Sequence, residues 1–365
     1  MKTFTVTYHH TTNYGALLQA FALHHTIKVL GHENVIFEYP ERGGMYVKLS
    51  TNSFYEFSKT LYINYLTFIR RKQIQRLRSR FEQFKKTNMN LSRIYTSMQD
   101  LKEDPPDADC LIVGSDQVWN LNTNPEFVPA RFLDFGAEEL LRFSYAASIE
   151  RMDYTEDQKE YVREKLARFK GISLREESAR LYIESFTGYN CERVLDPVFL
   201  LTKSDWSEVA EQPRIKQPYI LCYQVQGNAR MQEVANKLHK ETGYPIVSVN
   251  CGSVNWINSH YTIFDASPQE FLGLYQNASI VVSASFHGTA FGIIYNKPTY
   301  GLVRQQGTRR ISELLTLFDM KEFIIDSKSA IPSPSVDYDR VNTRIEQERE
   351  KSINFLLRML KGDCS

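Results

Sequence analysis

Residues Ser279–Pro298 read SIVVSASFHGTAFGIIYNKP. Ile280-Val281-Val282 is a β-branched apolar run, the pattern of a buried strand. Ser283, Ala284 and Ser285 are small and let the chain turn. Phe286, His287 and Gly288 follow, and then Ala290, Phe291, Ile293 and Ile294 recur at helical spacing. A strand therefore runs directly into a helix N-terminus with a histidine and a glycine at the joint. In an open α/β sheet such joints are where ligands bind. The free N–H groups of a first helical turn attract anions, so Ser285, Gly288 and Thr289 are candidate anion contacts. His287 adds a side chain able to exchange a proton near neutral pH. A buried histidine held by backbone groups is the alternative reading of the same residue.

The chain continues in the same rhythm on both sides of this stretch. Lys297-Pro298 leads to a strand at Thr299–Val303 and then to Arg304-Gln305-Gln306-Gly307-Thr308-Arg309-Arg310. If the two strands are parallel neighbours, this arginine-rich loop lies near the His287 helix. Arginine forks suit phosphate and carboxylate. Upstream, Tyr219–Val225, a helix through Lys240 and Ile246–Val249 make further β/α units, and Ser267-Pro268-Gln269-Glu270 is a capping box with proline at its first helical position. Residues 202–217 are polar, with Pro213 within and Pro218 just beyond, and read as a linker.

An earlier β/α series begins at Thr3–Tyr8. The strand ends at His9-His10-Thr11-Thr12-Asn13-Tyr14-Gly15, and a helix follows to about Val29, stopped by Gly31. His9, His10, Asn13, Tyr14 and Gly15 thus fall at a ligand-facing sheet edge, although Asn13 equally suits a helix cap. No G-x-G-x-x-G motif occurs there. Asp109–Val113 is a buried strand running into Gly114-Ser115-Asp116-Gln117-Val118-Trp119-Asn120. There Ser115, Asp116 and Gln117 could hold sugar hydroxyls and Trp119 could offer a stacking face. A strand is expected at Arg142–Ile149, and Ile172–Arg175 delivers Arg175 to the same edge. A long helix from Asn342 to Lys361 closes the chain.

Residues 45–100 break this rhythm. An aromatic stretch from Phe54 to Ile69 precedes a basic helix, 70–86, in which Ile74, Leu77, Phe81 and Phe84 repeat at helical spacing. Such a helix either packs on its own domain or lies on an anionic membrane surface.

The composition excludes several classes. With 365 residues, 42% apolar and 24% charged, two soluble domains are expected, and the net charge of +1 gives no bulk attraction to nucleic acid. No apolar run approaches membrane-spanning length. Residues 1–7 already read as a strand, so no signal peptide is expected and a cytoplasmic setting fits, with contact at the inner membrane face through the 70–86 helix as an option. The five cysteines are scattered, with no metal-binding spacing, so no metal site is expected.

Two Rossmann-like β/α domains facing across a cleft make a GT-B-type α/β fold. The expected division is 1–205 with the 45–100 insertion, then 206–335, then a closing helix over 336–365. The motifs Asn13–Ala20, Gly114–Asn120, Leu174–Ser178, Leu195-Asp196-Pro197 and Ser285–Gly288 stand in the order and spacing of the polysaccharide pyruvyl transferase family, which this chain resembles from about residue 4 to 320. The resemblance implies phosphoenolpyruvate as co-substrate, with no cofactor, and a sugar hydroxyl pair as acceptor, nucleotide- or lipid-linked, in bacterial cell-surface polysaccharide synthesis. It implies His287 as acid/base and Asp116 as the group that positions or deprotonates the acceptor. Donor contacts would come from Arg175, Ser285, Gly288, Thr289, Lys297, Arg304, Arg309 and Arg310. Acceptor contacts would come from His9, His10, Asn13, Tyr14, Gly15, Ser115, Gln117 and Trp119. The chain departs from the family at one place: many members carry an arginine before the histidine, in an Arg-Leu-His or Arg-Phe-His type of sequence, where this chain reads Ser285-Phe286-His287. A glycosyltransferase with a nucleotide-sugar donor and a non-catalytic sugar-binding relative are the competing readings.

Overall fold

A computed structural model describes residues 1–40, 46, 49, 53–122, 125–225, 227–304 and 309–362. The first half runs β1 (Lys2–Val6), α1 (Tyr14–Val29), β2 (Glu33–Glu38), α2 (Phe54–Ile69), α3 (Arg71–Asn88), β3 (Leu91–Ile94), α4 (Met98–Glu103), β4 (Cys110–Val113), β5 (Leu141–Ser144), α5 (Glu156–Leu166), β6 (Ser173–Leu174), α6 (Glu177–Thr187) and β7 (Glu192–Arg193). Helix α7 (Lys203–Val209) leads to the second half. This comprises β8 (Ile220–Tyr223), α8 (Ala229–Thr242), β9 (Ile246–Val249), β10 (Tyr261–Ile263), α9 (Pro268–Asn277), β11 (Ile280–Ser283), α10 (Phe286–Ile294), β12 (Thr299–Leu302), α11 (Arg309–Leu317), β13 (Ile324–Ile325) and α12 (Tyr338–Leu360).

Each half holds a parallel sheet, ordered β3-β2-β1-β4-β5 in the first and β10-β9-β8-β11-β12-β13 in the second. Bridges Phe143–Gly171 and Ala147–Leu174 carry the β6–β7 pair onward from β5. The first strand in each half lies inside its sheet, so the chain reverses direction there, and the C-terminal strand ends beside that point form the ligand-binding edge.

Helix α1 joins the halves. Tyr14, Leu17, Leu18, Phe21 and Leu23 are buried on all its sides, as expected of a helix apolar all round. Tyr14 stacks on Phe271 of α9 with ring centroids 4.2 Å apart, and its hydroxyl donates to the Ala266 carbonyl at 2.8 Å. The core is thus continuous from one sheet to the other. Helix α12 returns to the first half. There Ser352 Oγ accepts the Leu195 N–H at 2.9 Å, and Arg349 Nε donates to the Phe199 carbonyl at 2.6 Å.

Four expectations change. The 202–217 stretch is not simply a linker. Thr202 and Asp205 form a capping box, and the Trp206 indole is fully buried, donating to the Val198 carbonyl at 2.9 Å. The strand expected to Ile149 is continuous only to Ser144; Ala146 takes a left-handed φ of 55°, and pairing resumes at Ala147 as single bridges to Asp116 and Leu174. Strand β10 is an addition: three half-exposed residues give almost no apolar signal. Finally, the apolar stripe of the basic helix α3 is not free for a membrane. Leu77, Phe81 and Phe84 are buried in the chain's own core, and Arg76 and Arg80 pair with Asp265 and Glu270.

Candidate functional site

Strand β11 is buried along its whole length and ends at Ser283. Ser285 caps α10, its Oγ accepting the Gly288 N–H at 3.5 Å. His287 therefore sits in the first turn of α10, at the C-terminal edge of the sheet. Its ring lies against Gly15, in the first turn of α1. A Cβ at residue 15 would lie 2.2 Å from His287 Nδ1 and 2.4 Å from its Cγ. The two helix N-termini meet at this contact, and only glycine leaves room for the imidazole.

A buried charge cluster lies on the other side of the ring. His287 Nε2 is 3.4 Å from Asp196 Oδ2, within ion-pair reach. The angle does not make a hydrogen bond, and among the described residues Nε2 has no hydrogen-bond partner. Asp196 Oδ2 also accepts from Arg175 Nη1 at 2.6 Å and from Ser115 Oγ at 3.1 Å, and Oδ1 accepts the Val198 N–H at 3.1 Å. Burial pushes the Asp196 carboxyl up, but His287, Arg175 and the Val198 N–H together hold it well below the usual carboxylate range. Arg175 completes the cluster, donating from Nε to Glu176 at 2.7 Å and from Nη2 to Ser148 Oγ at 3.1 Å. Burial works against its charge, yet Glu176, Asp196 and Asp116 outweigh it and raise the guanidinium above its ordinary value. The guanidinium lies 3.8 Å from the centre of the Phe286 ring, a cation–π contact. Among the described residues Glu176 Oε2, like His287 Nε2, is buried without a hydrogen-bond partner. Unpaired polar atoms are rare in interiors and mark places where a ligand can complete the bonding.

A cavity of about 490 Å³ opens over this cluster, lined by Arg175, Glu176, Asp196, Phe286, Arg310 and Leu317 among others. A smaller one of about 240 Å³ adjoins it, bordered by Glu150, Arg151, Ser178, Arg309 and Arg310. Arg310 is oriented by the other half of the molecule: with the Gln117 amide turned to suit its neighbours, Gln117 Oε1 accepts from both Arg310 Nη atoms at 2.9 Å. Its Nε2 then donates to Glu150 at 2.9 Å. Asp116 adopts a left-handed φ of 69°, and its Oδ1 accepts the Gln117 N–H at 2.9 Å. A non-glycine residue held there is typical of functional edges.

The stretch that brings these helices and strand ends together matches one family model. That model, of the polysaccharide pyruvyl transferases, covers residues 13–306. The chain belongs to the polysaccharide pyruvyl transferase family. None of the curated proteins matches the chain. Among solved structures, the UDP-GlcNAc 2-epimerase of Methanocaldococcus jannaschii in complex with UDP-GlcNAc and UDP is similar with a TM-score of 0.50, 10% identity and 99% of each chain covered. The UDP-N-acetylglucosamine 2-epimerase of Rickettsia bellii gives a TM-score of 0.46 and 13% identity, covering 100% of this chain and 97% of that one. A spinosyn forosaminyltransferase gives 0.48 and 10% identity over all of both chains. The fold of this pyruvyl transferase family member is of GT-B type, two β/α halves about a cleft.

The family motifs converge here, but several of their residues do structural work. Trp119 is fully buried, stacks on Phe132 and donates its indole N–H to the Arg131 carbonyl at 3.1 Å, so it has no face for a sugar. Tyr14 is locked between the halves, as described. Ser115 is buried and its hydroxyl serves Asp196. The Thr289 hydroxyl donates back to the Ser285 carbonyl at 3.0 Å. A Cβ on Gly288 would lie 2.3 Å from Ser283 Oγ, so that glycine permits packing. Asn13 caps α1, its Oδ1 accepting from Gly15 and Ala16. Arg175 is no free cation, since two buried carboxylates already flank it.

Lys297 precedes β12 and so lies at the opposite sheet edge from Ser285, its ammonium lowered by burial and by Lys203. Arg304 reaches the Gly227 carbonyl, Arg309 is exposed at the start of α11, and residues 305–308 lie outside the described residues. The β11–β12 pairing is parallel, which brings this loop to the His287 edge.

The chain's one compact group of metal-ligand types is, among the described residues, His9, His10 and Glu38, with donor atoms within 4.8 Å of one another. His9 is buried, with Nδ1 on the Thr7 carbonyl and Nε2 2.9 Å from Glu38. His10 Nε2 accepts the Tyr39 N–H at 3.2 Å, which puts the proton of the neutral ring on Nδ1. Burial and the neighbouring His9 hold His10 well below its ordinary value. His9 and Glu38 bind each other, whereas His10 Nδ1 is, among the described residues, buried without a hydrogen-bond partner.

Sequence reasoning missed Asp196, Glu176 and Ser148 as members of the site. Asp196 had a signal, as a motif aspartate at a strand end before proline. Nothing in the sequence indicates that it meets His287 and Arg175 at once.

Proposed function

We propose that this protein transfers the enolpyruvyl group of phosphoenolpyruvate onto two hydroxyls of a sugar, forming a cyclic pyruvate ketal and releasing phosphate, in bacterial cell-surface polysaccharide synthesis. The observation that carries the reading is His287, held by Gly15 and Asp196 at the N-terminus of α10, where Asp196 and Phe286 line a cavity that Arg310 also borders. His287 gives a proton to the methylene carbon, generating a cation at the adjacent carbon. One acceptor hydroxyl adds there, the C–O bond to phosphate breaks, and the second hydroxyl closes the ring. The methylene takes one proton and the two hydroxyls release two, of which one restores His287 and one leaves with phosphate. Asp196 places a carboxylate 3.4 Å from Nε2, a negative charge beside the imidazole that gives up the proton. Asp116 stands where the acceptor hydroxyls would be held. The α10 N-terminus, Arg309 and Arg310 supply positive potential for phosphate and carboxylate.

The test is phosphate release from phosphoenolpyruvate with candidate nucleotide- and lipid-linked sugars, with the ketal identified by mass spectrometry. His287→Gln should lower turnover by about 10²- to 10⁴-fold, the usual worth of a general acid–base group. Wild-type turnover in that variant, or transfer of a sugar from a nucleotide donor with no phosphate released from phosphoenolpyruvate, would sink the reading.

A further inference from the structure

Helix α2 has its polarity reversed. The stripe against the protein is Thr60, Ile63 and Thr67, and Thr67 Oγ1 donates to Ser253 Oγ at 2.9 Å. The outward face carries Tyr55, Leu61, Tyr62, Tyr65, Phe68 and Ile69, each between 52 and 72% exposed. Isolated exposed apolar residues need no explanation, but a continuous helical face of six does. Exposed basic residues accompany it: Lys59, Arg71 and Lys72, with Glu56 the lone acid along the helix. The Arg71 guanidinium lies 4.6 Å from the Phe68 ring.

We propose that α2 lies in the interfacial layer of an anionic membrane, with Tyr62, Tyr65, Phe68 and Ile69 facing the acyl boundary and Arg71 and Lys72 the headgroups. Tyrosine suits that layer because its ring is apolar and its hydroxyl wet. The basic flank complements anionic lipid. A second copy of the chain fits less well, since an antiparallel two-fold contact through α2 would set Arg71 and Lys72 against the end whose lone acid, Glu56, already pairs with Lys59. The C-terminal end of α2 is fastened to the loop after β9, which also carries the exposed Trp256. That loop leaves the same sheet edge as the α10 N-terminus, so a docked molecule holds its cleft beside the lipid. An acceptor carried on a lipid is then the substrate class the arrangement suits. This last step rests on the transferase reading; the docking does not.

The test is co-sedimentation of the full chain with phosphatidylcholine vesicles, with and without phosphatidylglycerol. Wild type should pellet with the anionic vesicles and be released by added salt. The triple variant Tyr62→Ser, Tyr65→Ser, Phe68→Ser should lose at least about tenfold in partitioning, since each buried aromatic is worth one or more such factors. Arg71→Glu with Lys72→Glu should remove the preference for phosphatidylglycerol. Circular dichroism and melting confirm that the variants are folded. Wild type left in the supernatant at low salt, or a triple variant that pellets like wild type, would overturn the docking. So would light scattering that shows a wild-type dimer and a monomeric triple variant, assigning the face to a second copy. Turnover of a soluble acceptor, read in the same samples, should be equal in wild type and triple variant. Its absence from both, with vesicle binding intact, would count against the transferase reading alone.

Discussion

Gly15→Ala is the sharpest probe of the site, because one methyl group reaches one atom. The added Cβ would stand 2.2 Å from His287 Nδ1, 2.4 Å from Cγ and 2.6 Å from Cβ. Ordinary contact begins near ~3.5 Å, so the imidazole must retreat by about 1 Å. Asp196 and the edge of the Phe286 ring stand on its other sides, so the ring cannot retreat without leaving its position. A displacement of that size at a reacting group costs about 10²-fold in rate. Stability should change little. Overpacking costs about 1–3 kcal/mol, while alanine in place of glycine inside a helix returns about 1 kcal/mol. Gly15 is not among the left-handed glycines, so its backbone accepts alanine. The net of about 0–2 kcal/mol lowers the melting temperature by no more than about 4 °C in a chain of this length. The assay is steady-state phosphate release beside thermal melting of the same preparations. A variant that melts normally and turns over at the wild-type rate would refute the placement of His287 as the reacting group.

Asp196→Asn leaves Arg175 balanced by Glu176 but weakens the charged hydrogen bonds that Asp196 accepts, and should cost about 1.5–3 kcal/mol, read from denaturant midpoints at neutral pH. Because Asp196 is held below the usual carboxylate range, its contribution is present above pH ~4 and is lost as the pH falls further. The difference between wild type and the variant should therefore narrow on acidification below that point. His24 behaves as a base whose protonated form the fold rejects. Burial, then Lys28 and His25, hold it down to about 4, and its Nδ1 accepts from the Asn34 amide at 3.0 Å. Stability should thus fall as the pH drops from ~6.5 towards 4, by about 3 kcal/mol from this residue, and His24→Gln should flatten that part of the profile. Trp119→Phe should destabilise the fold while leaving the KM for the acceptor unchanged; a large rise in KM would restore the ring to the acceptor site.

The parts of the fold that could be read in advance are those whose signal is local. Ile280–Val282, a serine cap and an apolar period after His287 lie within one stretch, and they build β11 and α10 where expected. The same holds for Asn13 and α1. What escaped is tertiary. A sequence cannot show that Gly15 is a glycine because His287 arrives from the other half of the chain. Nor can it show that an aromatic residue after a polar turn points inward: Trp119 looks like a stacking residue until the Arg131 carbonyl is found to take its indole N–H. The aromatic stretch 54–69 was visible as composition, but its face was not, because Thr60 and Thr67 give no sign of being the buried side.

The charge balance at the cleft follows from the same distinction. Arg175 looked like a donor-binding cation because it ends a strand at the ligand edge. In the fold it lies between Asp196 and Glu176, so its charge is cancelled before any substrate arrives. Its guanidinium rests on Phe286, the residue before His287. An arginine at 286 would find those same two carboxylates to pair with. Phenylalanine instead presents a ring face that attracts the cation already there. On the transferase reading, a doubly anionic donor must then draw its positive charge from elsewhere. Phe286 at the α10 N-terminus and Arg310 line the cavity over the cluster, and Arg309 borders the adjoining one. Arg310 is gripped by Gln117 from the opposite half, so the cation that would meet the donor is positioned by the motif expected to hold the acceptor. Donor and acceptor recognition are in that sense mechanically joined, and a change at Gln117 should register in the KM for phosphoenolpyruvate before it registers in that for the sugar.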